Sequence, residues 1–129
     1  YMMTISGSPQ DIVRPFAQYL GFQTSFGVVL AQERGHYLGH LEKSDSIRNK
    51  DVVLQRYLSE TSLHVNLADS VAVGDTEGDI SIMEMVGRPI AFNPNRRLLE
   101  HARRRGWRIV VERKDAIYDL KKFTTVNVK

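Results

Sequence analysis

The stretch Asp69-Ser-Val-Ala-Val-Gly74 runs directly into Asp75-Thr-Glu-Gly-Asp79, and this junction decides the fold. The short apolar run that ends at a glycine predicts a buried β-strand, which places the carboxylates just beyond its carboxyl end. α/β folds bind ligands at that end of parallel strands, and closely spaced oxygen ligands suit a hard cation such as Mg²⁺. The segment does not match an EF-hand calcium loop, because Ile80 and Val86 occupy the positions where that loop has a glycine and a glutamate. On spacing alone, an acidic first helical turn explains the carboxylates equally well.

Strand and helix patterns also alternate upstream of this stretch. The residues predict, in order, a strand over 1–6, a helix from Pro9 to Leu20 with Ser8 as its N-cap, a β-hairpin and a helix over 50–60. The hairpin is predicted from Phe26–Ala31 and His36–Leu41, which flank Gln32-Glu-Arg-Gly35.

Downstream the same alternation continues. It predicts a helix from Ile80 that ends at Gly87, a strand over 89–92, a helix over 96–105 capped by Asn95 and ended by Gly106, a strand over 107–111 and a last short helix over 115–123. Alternating strands and helices indicate an α/β protein with a three-layer, Rossmann-like parallel sheet, flanking helices and a β-hairpin.

The amino-acid composition excludes several classes of protein and of functional site. A chain of 129 residues with 42% hydrophobic and 26% charged residues predicts one globular domain over 1–129, and no apolar run is long enough for a membrane span. The absence of cysteine excludes disulfides, thiolate metal sites and cysteine nucleophiles, and it agrees with a cytoplasmic protein.

The net charge of +3 comes largely from the arginines of 96–113, which we interpret as a solvated helix face. A nucleic-acid patch is the alternative, but no aromatic platform is interleaved with these arginines.

Two more candidate functional sites lie upstream of the acidic stretch. Ser6-Gly7-Ser8 follows a strand and precedes a helix, so its hydroxyl and N–H groups could cradle a phosphate, although simple capping explains it as well. Lys50 starts a helix after a polar stretch, and it bears on function only if the fold brings it to the other sites.

The three sites in this order resemble the haloacid dehalogenase-like hydrolase superfamily, and more closely its phosphoserine phosphatase-like subgroup. The resemblance covers Ile5–Val13, the hairpin region before Lys50, Val73–Asp79, and Val86–Asn95 with the later Gly106-Trp107. It implies that Ser6, with Gly7 and Ser8, contacts the phosphoryl group and that Lys50 neutralises charge on the nucleophile and the phosphate.

The resemblance also implies a Mg²⁺ site, with Asp75 as a direct ligand and Asp79 acting through the metal's water or through Lys50. The substrate would be a phosphorylated small molecule, whose phosphoryl group is transferred mainly by positioning and charge stabilisation. One difference lies inside the acidic motif, because Gly78 stands where phosphoserine phosphatases have a phosphate-binding Asn.

The family's first motif, Asp-x-Asp, is absent from the 129 residues. In the family its first aspartate is the nucleophile that forms an aspartyl-phosphate, and its second is the general acid and base. The resemblance places this motif on a central strand between the Ser6 and Asp75 strands, followed by an inserted cap.

We therefore expect an incomplete sheet in a chain that begins at Tyr1, and we expect the chain to be the C-terminal part of a longer hydrolase. Alone, it should bind Mg²⁺ weakly or not at all and should be inactive. The alternative is a non-catalytic, truncated domain that binds a partner or completes its sheet with a second copy, since open strand edges favour pairing. We expect neither membrane nor nucleic acid as a partner.

Overall fold

The structure, a computed structural model, describes residues 1–42, 47 and 49–120. The chain divides into two compact units, Tyr1–Arg56 and Tyr57–Lys129. None of the helices in the described ranges is long and apolar enough to cross a membrane.

The first unit is built on a parallel strand pair covered by a helix. Strand β1 (Met3–Pro9) leads into helix α1 (Gln10–Tyr19), and strand β2 (Thr24–Val28) returns parallel to β1. Val13 and Ala17 lie one turn apart on the buried face of α1, as the apolar spacing of this helix predicts. The predicted N-cap is wrong, because Pro9 occupies that position and no side chain caps the helix. The Ser8 N–H group instead donates to the Ser6 hydroxyl.

A β-hairpin follows, and it is shorter than predicted. Strands β3 (Leu30–Glu33) and β4 (His36–Leu41) pair antiparallel across a turn at Arg34 and Gly35. Both turn residues have positive φ angles, 49° and 80°, as a two-residue turn matched to the strand twist requires. The first part of the predicted hairpin, Phe26–Val28, belongs instead to β2, where it pairs with β1. Helix α2 (Lys50–Glu60) has the predicted bounds.

The second unit is a four-stranded sheet with the order β5-β6-β7-β8. Strands β5 (Val71–Gly74), β6 (Arg88–Phe92) and β7 (Arg108–Arg113) are parallel, and they alternate with helices α3 (Ile80–Met83) and α4 (Arg96–Arg105). Helix α3 is shorter than predicted, because it ends at Met83 and turn and bend residues continue to Gly87. The side chains at the centre of the core come from the strands and from both helices: Met83, Ala91, Leu98, Ala102 and Ile109. Gly106 ends α4 in the left-handed conformation, with φ at 68°, as predicted.

The predicted helix over 115–123 is wrong. Ala116–Leu120 forms strand β8, which pairs antiparallel with β7 across the turn at Lys114 and Asp115. The β-favouring pair Ile117-Tyr118 completes the ladder that β7 would otherwise leave open. Phe123, at the end of the predicted helix, lies outside the described residues. The α/β class, with parallel strands, flanking helices and a hairpin, is confirmed.

Candidate functional site

The acidic loop at the carboxyl end of β5 contains one exposed and one buried carboxylate. Asp75 directly follows β5 and is exposed, whereas Asp79 is only 5% exposed. The Oδ2 atom of Asp79 accepts hydrogen bonds from the Asp75 N–H at 3.0 Å, the Thr76 N–H at 3.1 Å and the Thr76 hydroxyl at 3.4 Å. Within the described part of the chain, the Asp75 carboxylate makes no hydrogen bond or ion pair. Asp79 therefore holds the loop, and Asp75 presents its carboxylate to solvent.

Gly74 makes this turn sterically possible. A Cβ atom at this position would lie 2.4 Å from the Cβ of Asp79, closer than any side chain tolerates. The glycine that ends β5 is thus required for the Asp79 side chain to fold back under the loop. It also explains why the apolar strand stops at this residue.

Asn95 fastens the acidic loop to the start of α4. Its side-chain oxygen accepts from the Leu98 N–H at 3.0 Å, which is the N-cap bond predicted from the sequence. Its backbone N–H donates to the Asp75 carbonyl at 2.8 Å, and its amide donates to the Glu77 carboxylate. The last two contacts cannot be predicted from the sequence, because no local pattern relates residues 18 to 20 positions apart.

Glu77 lies on the outer side of the same loop. The hydrogen bond from the Asn95 amide is the main reason why the pKa of the Glu77 carboxyl is lower than usual. The Arg97 guanidinium, 3.3 Å from Oε1, lowers this pKa further. Glu77 is therefore held ionised and directed toward α4, so Asp75 is the carboxylate of the loop that has no partner among the described residues.

The predicted phosphate cradle lies in the first unit, where β1 meets α1. Ser6 is half-buried, while Gly7 and Ser8 are exposed. The Ser6 Oγ accepts the Ser8 N–H at 3.1 Å, which uses a lone pair and leaves the hydroxyl hydrogen able to donate. This end of β1 can offer a hydroxyl donor to an anion, and the open space around Gly7 leaves room for one to approach.

Lys50 is the first residue of α2 and is half-buried. The structure thus places Asp75 and Asp79 on one loop of the second unit. It places Ser6, Gly7 and Ser8 in the last part of β1, which runs to Pro9 and so is longer than the strand predicted over 1–6, and Lys50 at a helix start.

The donor set at Asp75 and Asp79 fits part of a Mg²⁺ site. Both residues offer carboxylate oxygens, which this cation prefers, and Mg²⁺ is commonly held by one or two carboxylates with waters completing the shell. Among the residues that the structure describes, no group of three or more His, Cys, Asp or Glu side chains could hold a metal ion.

Comparison with known proteins agrees with this architecture. The haloacid dehalogenase-like hydrolase family model matches residues 4–84, which include β1, α2 and the acidic loop. Phosphoserine phosphatase SerB1 of Mycobacterium tuberculosis is 29% identical over 107 residues, covering 81% of this chain and 34% of that protein. A protein of unknown function from Bordetella pertussis superimposes with a TM-score of 0.68 at 29% identity, covering 83% of this chain and 49% of the other. A substrate-bound phosphoserine phosphatase superimposes with a TM-score of 0.64 at 30% identity, covering 76% and 46%.

The fold and the loop define an α/β protein with a carboxylate site at the end of a parallel strand. The chain belongs to the haloacid dehalogenase-like hydrolase family. It spans about a third of the length of the first curated relatives that it matches, with 35% and 34% covered.

Proposed function

We propose that this chain is the C-terminal part of a Mg²⁺-dependent phosphomonoester hydrolase that acts on a phosphorylated small molecule in the cytoplasm. The observation that carries the proposal is the acidic loop, where the buried Asp79 holds the backbone while the Asp75 carboxylate stays exposed and unpaired among the described residues. Family membership and the similarity to phosphoserine phosphatases support the same reaction class.

In this proposal Asp75 is a direct ligand of Mg²⁺, and Asp79 completes the acidic site through the metal's water or through Lys50. The metal would offset charge on the phosphoryl oxygens. The Ser6 hydroxyl, with Gly7 and Ser8 at the same end of β1, would donate to the phosphoryl group, and Lys50 would neutralise the charge that builds up during transfer. None of these four roles requires the residue to form a bond to phosphorus.

The nucleophile and the general acid and base must then come from a segment other than these 129 residues, since no Asp-x-Asp occurs in them. An aspartate supplied by that segment would attack phosphorus and release the alcohol, and water would then cleave the aspartyl-phosphate. The residues of this chain would position and stabilise the transferring group during both steps.

The proposal specifies the phosphoryl group of the substrate but not the alcohol to which that group is attached. One relative is named a phosphoserine phosphatase and another a histidinol-phosphatase. Gly78 replaces the Asn that phosphoserine phosphatases use to bind phosphate, which favours a substrate other than phosphoserine.

The first test is hydrolysis of a generic aryl phosphate by the 129-residue chain, with and without Mg²⁺. We expect no turnover and only weak Mg²⁺ binding by calorimetry, because the aspartyl nucleophile is not in the chain. Turnover that disappears in Asp75→Ala but persists in Asp115→Ala would contradict the proposal. Asp115 is a suitable control because it is an exposed carboxylate in the β7–β8 turn.

A second candidate is a non-catalytic domain that associates with itself. Its support is the exposed apolar side of β5, where Val71 is 52% and Val73 is 62% exposed. Parallel strands are ordinarily covered on both faces, so these valines favour a partner surface.

A further inference from the structure

A groove lies at the opposite end of the four-stranded sheet from the acidic loop. Its lining includes Val71, Arg88 and Arg108, which are the first residues of β5, β6 and β7. Asp75 follows the last residue of β5, so the groove and the acidic loop are separated by the length of the strand. The groove has a volume of about 640 Å³, which is within the usual range for small-molecule pockets.

The lining combines an apolar part with a cationic part. Its apolar side chains come from β5, β6 and the segments that precede β6 and β7, chiefly Met83, Val86, Pro89, Ile90 and Trp107. Its charged side chains are three arginines, Arg88, Arg105 and Arg108, and one acid, Glu84. A mainly apolar pocket with a few convergent polar groups is the usual composition of a ligand site.

Each of the three guanidinium groups has a polar partner. Arg88 Nη2 donates to the Asp69 carbonyl, Arg105 Nε lies 3.7 Å from Glu84 Oε1, and Arg108 contacts Asp119 Oδ2 through Nη2 at 2.8 Å. A guanidinium group has five N–H donors, so a contact through one or two nitrogens leaves other donors for a ligand. Glu84 and Asp119 offset two of the three positive charges, and the contact of Arg88 is to a neutral carbonyl. The groove therefore keeps an excess of positive charge.

Trp107, which is half-buried, lines the same groove as these arginines. Its ring packs against the His101 ring, with the centroids 4.9 Å apart and the planes tilted by 57°, and His101 Nε2 lies 3.1 Å from Glu84 Oε1. These contacts limit the orientations of the indole. An indole next to guanidinium groups is suited to an aromatic ring that carries a negative charge.

We propose that this groove is a second ligand site, which binds a small aromatic anion between Trp107 and the arginines of β6, α4 and β7. The ligand class is a planar ring with a carboxylate or phosphate group. The proposal does not depend on the phosphoryl-transfer role of the acidic loop.

The test is an NMR titration followed at the Trp107 indole N–H, which gives a single signal because the chain has one tryptophan. The probe is 2-naphthoate, a carboxylate that no phosphatase reaction consumes. Naphthalene-2-methanol supplies the ring without the charge, and acetate supplies the charge without the ring. We expect a saturable shift with 2-naphthoate and a Kd about tenfold weaker, or more, for either partial probe.

Arg105→Gln should weaken 2-naphthoate binding about tenfold, whereas Arg104→Gln should leave it unchanged. Both variants remove one charge from the last turn of α4, but only Arg105 lines the groove. Arg88→Gln provides an independent loss of binding if Arg105→Gln perturbs the helix end. The proposal is overturned if no saturable shift appears up to about 10 mM, if the partial probes bind equally well, or if Arg104→Gln weakens binding as much as Arg105→Gln.

Discussion

The two aspartates of the acidic loop have different physical roles although the sequence presents them as a pair. Asp79 is buried and its Oδ2 receives three hydrogen bonds, whereas Asp75 is exposed and its backbone, not its carboxylate, is tied to the loop. The sequence left two interpretations open, metal ligands and an acidic helix start. The geometry gives Asp79 a loop-holding role and leaves Asp75 as the carboxylate best placed for a cation.

Asp79→Ala should therefore destabilise the chain, while Asp75→Ala should not. Removing the Asp79 carboxylate leaves two buried or half-buried N–H groups and a hydroxyl without their acceptor, which should cost about 2–3 kcal/mol in the free energy of unfolding. The Asp75 substitution removes an exposed side chain and should change it by less than about 0.5 kcal/mol. Urea denaturation of both variants measures the difference. Equal stability of the two variants would contradict the assigned roles.

Asn95 shows which part of the site can be predicted from local sequence. Its capping bond to Leu98 follows from residue type and position, and this prediction is confirmed. Its bonds to Asp75 and Glu77 depend on β5 and β6 lying side by side, a tertiary arrangement that no short motif encodes. The same limit applies to Gly74, whose necessity becomes visible only once Asp79 folds back beneath it.

At the scale of elements, the hairpin is tethered to α1 by side chains rather than by a shared sheet. Tyr37 of β4 donates its hydroxyl to Asp11 Oδ2 at 3.0 Å, and Gln32 of β3 donates to the same oxygen at 3.2 Å. The hydrogen bond to the Asp11 carboxylate, and then its negative charge, raise the pKa of the Tyr37 phenol. The tether therefore requires a protonated phenol, since a phenolate has no hydrogen to donate to Asp11.

The sign of the pH effect follows from that raised pKa. Since the folded pKa of Tyr37 exceeds its unfolded value, the bond contributes stability below the unfolded pKa and loses it as the pH rises through the folded pKa. Asp11→Asn should return the Tyr37 pKa toward its ordinary value, which NMR titration of labelled tyrosine measures. Gln32→Ala is the control, because it removes the other donor and keeps the carboxylate. An unchanged Tyr37 pKa in Asp11→Asn would show that the tether does not form.

The elements that were predicted well are those whose bounds depend on the local sequence alone. Helix α2 has the predicted bounds, and the glycine stop of α4 is confirmed. Errors arise where strand pairing determines the secondary structure of a segment. Phe26–Val28 pairs in parallel with β1, and Ala116–Leu120 pairs with β7. Both segments have β-favouring or mixed composition, and their structure depends on the strand that each one pairs with.

At the scale of the molecule, the strands are divided among separate ladders. In the described part of the chain, β1 pairs only with β2, and β5 pairs only with β6. This agrees with the incomplete sheet predicted from the family resemblance. The exposed Val71 and Val73 give β5 an apolar surface that water solvates poorly.

We expect the chain alone to self-associate through β5. Sedimentation should show a mass that rises with concentration, and the double substitution Val71→Lys and Val73→Lys should return it toward that of a monomer, because like charges on β5 oppose pairing. Val52→Lys is the matched control, since Val52 is also an exposed valine, 51% exposed, but lies on helix α2. A monomer at all concentrations, with a cooperative melt, would contradict the expectation.

The most direct test of the central claim is phosphatase activity after the Asp-x-Asp segment is supplied. That segment of a phosphoserine phosphatase is joined ahead of Tyr1, and hydrolysis of an aryl phosphate by the chimera is measured with and without Mg²⁺. We predict Mg²⁺-dependent turnover that falls by about a hundredfold or more in Asp75→Ala and in Lys50→Met and persists in Asp115→Ala. Turnover that is unchanged by Asp75→Ala and Lys50→Met, or equal turnover by the 129-residue chain alone, would contradict the account.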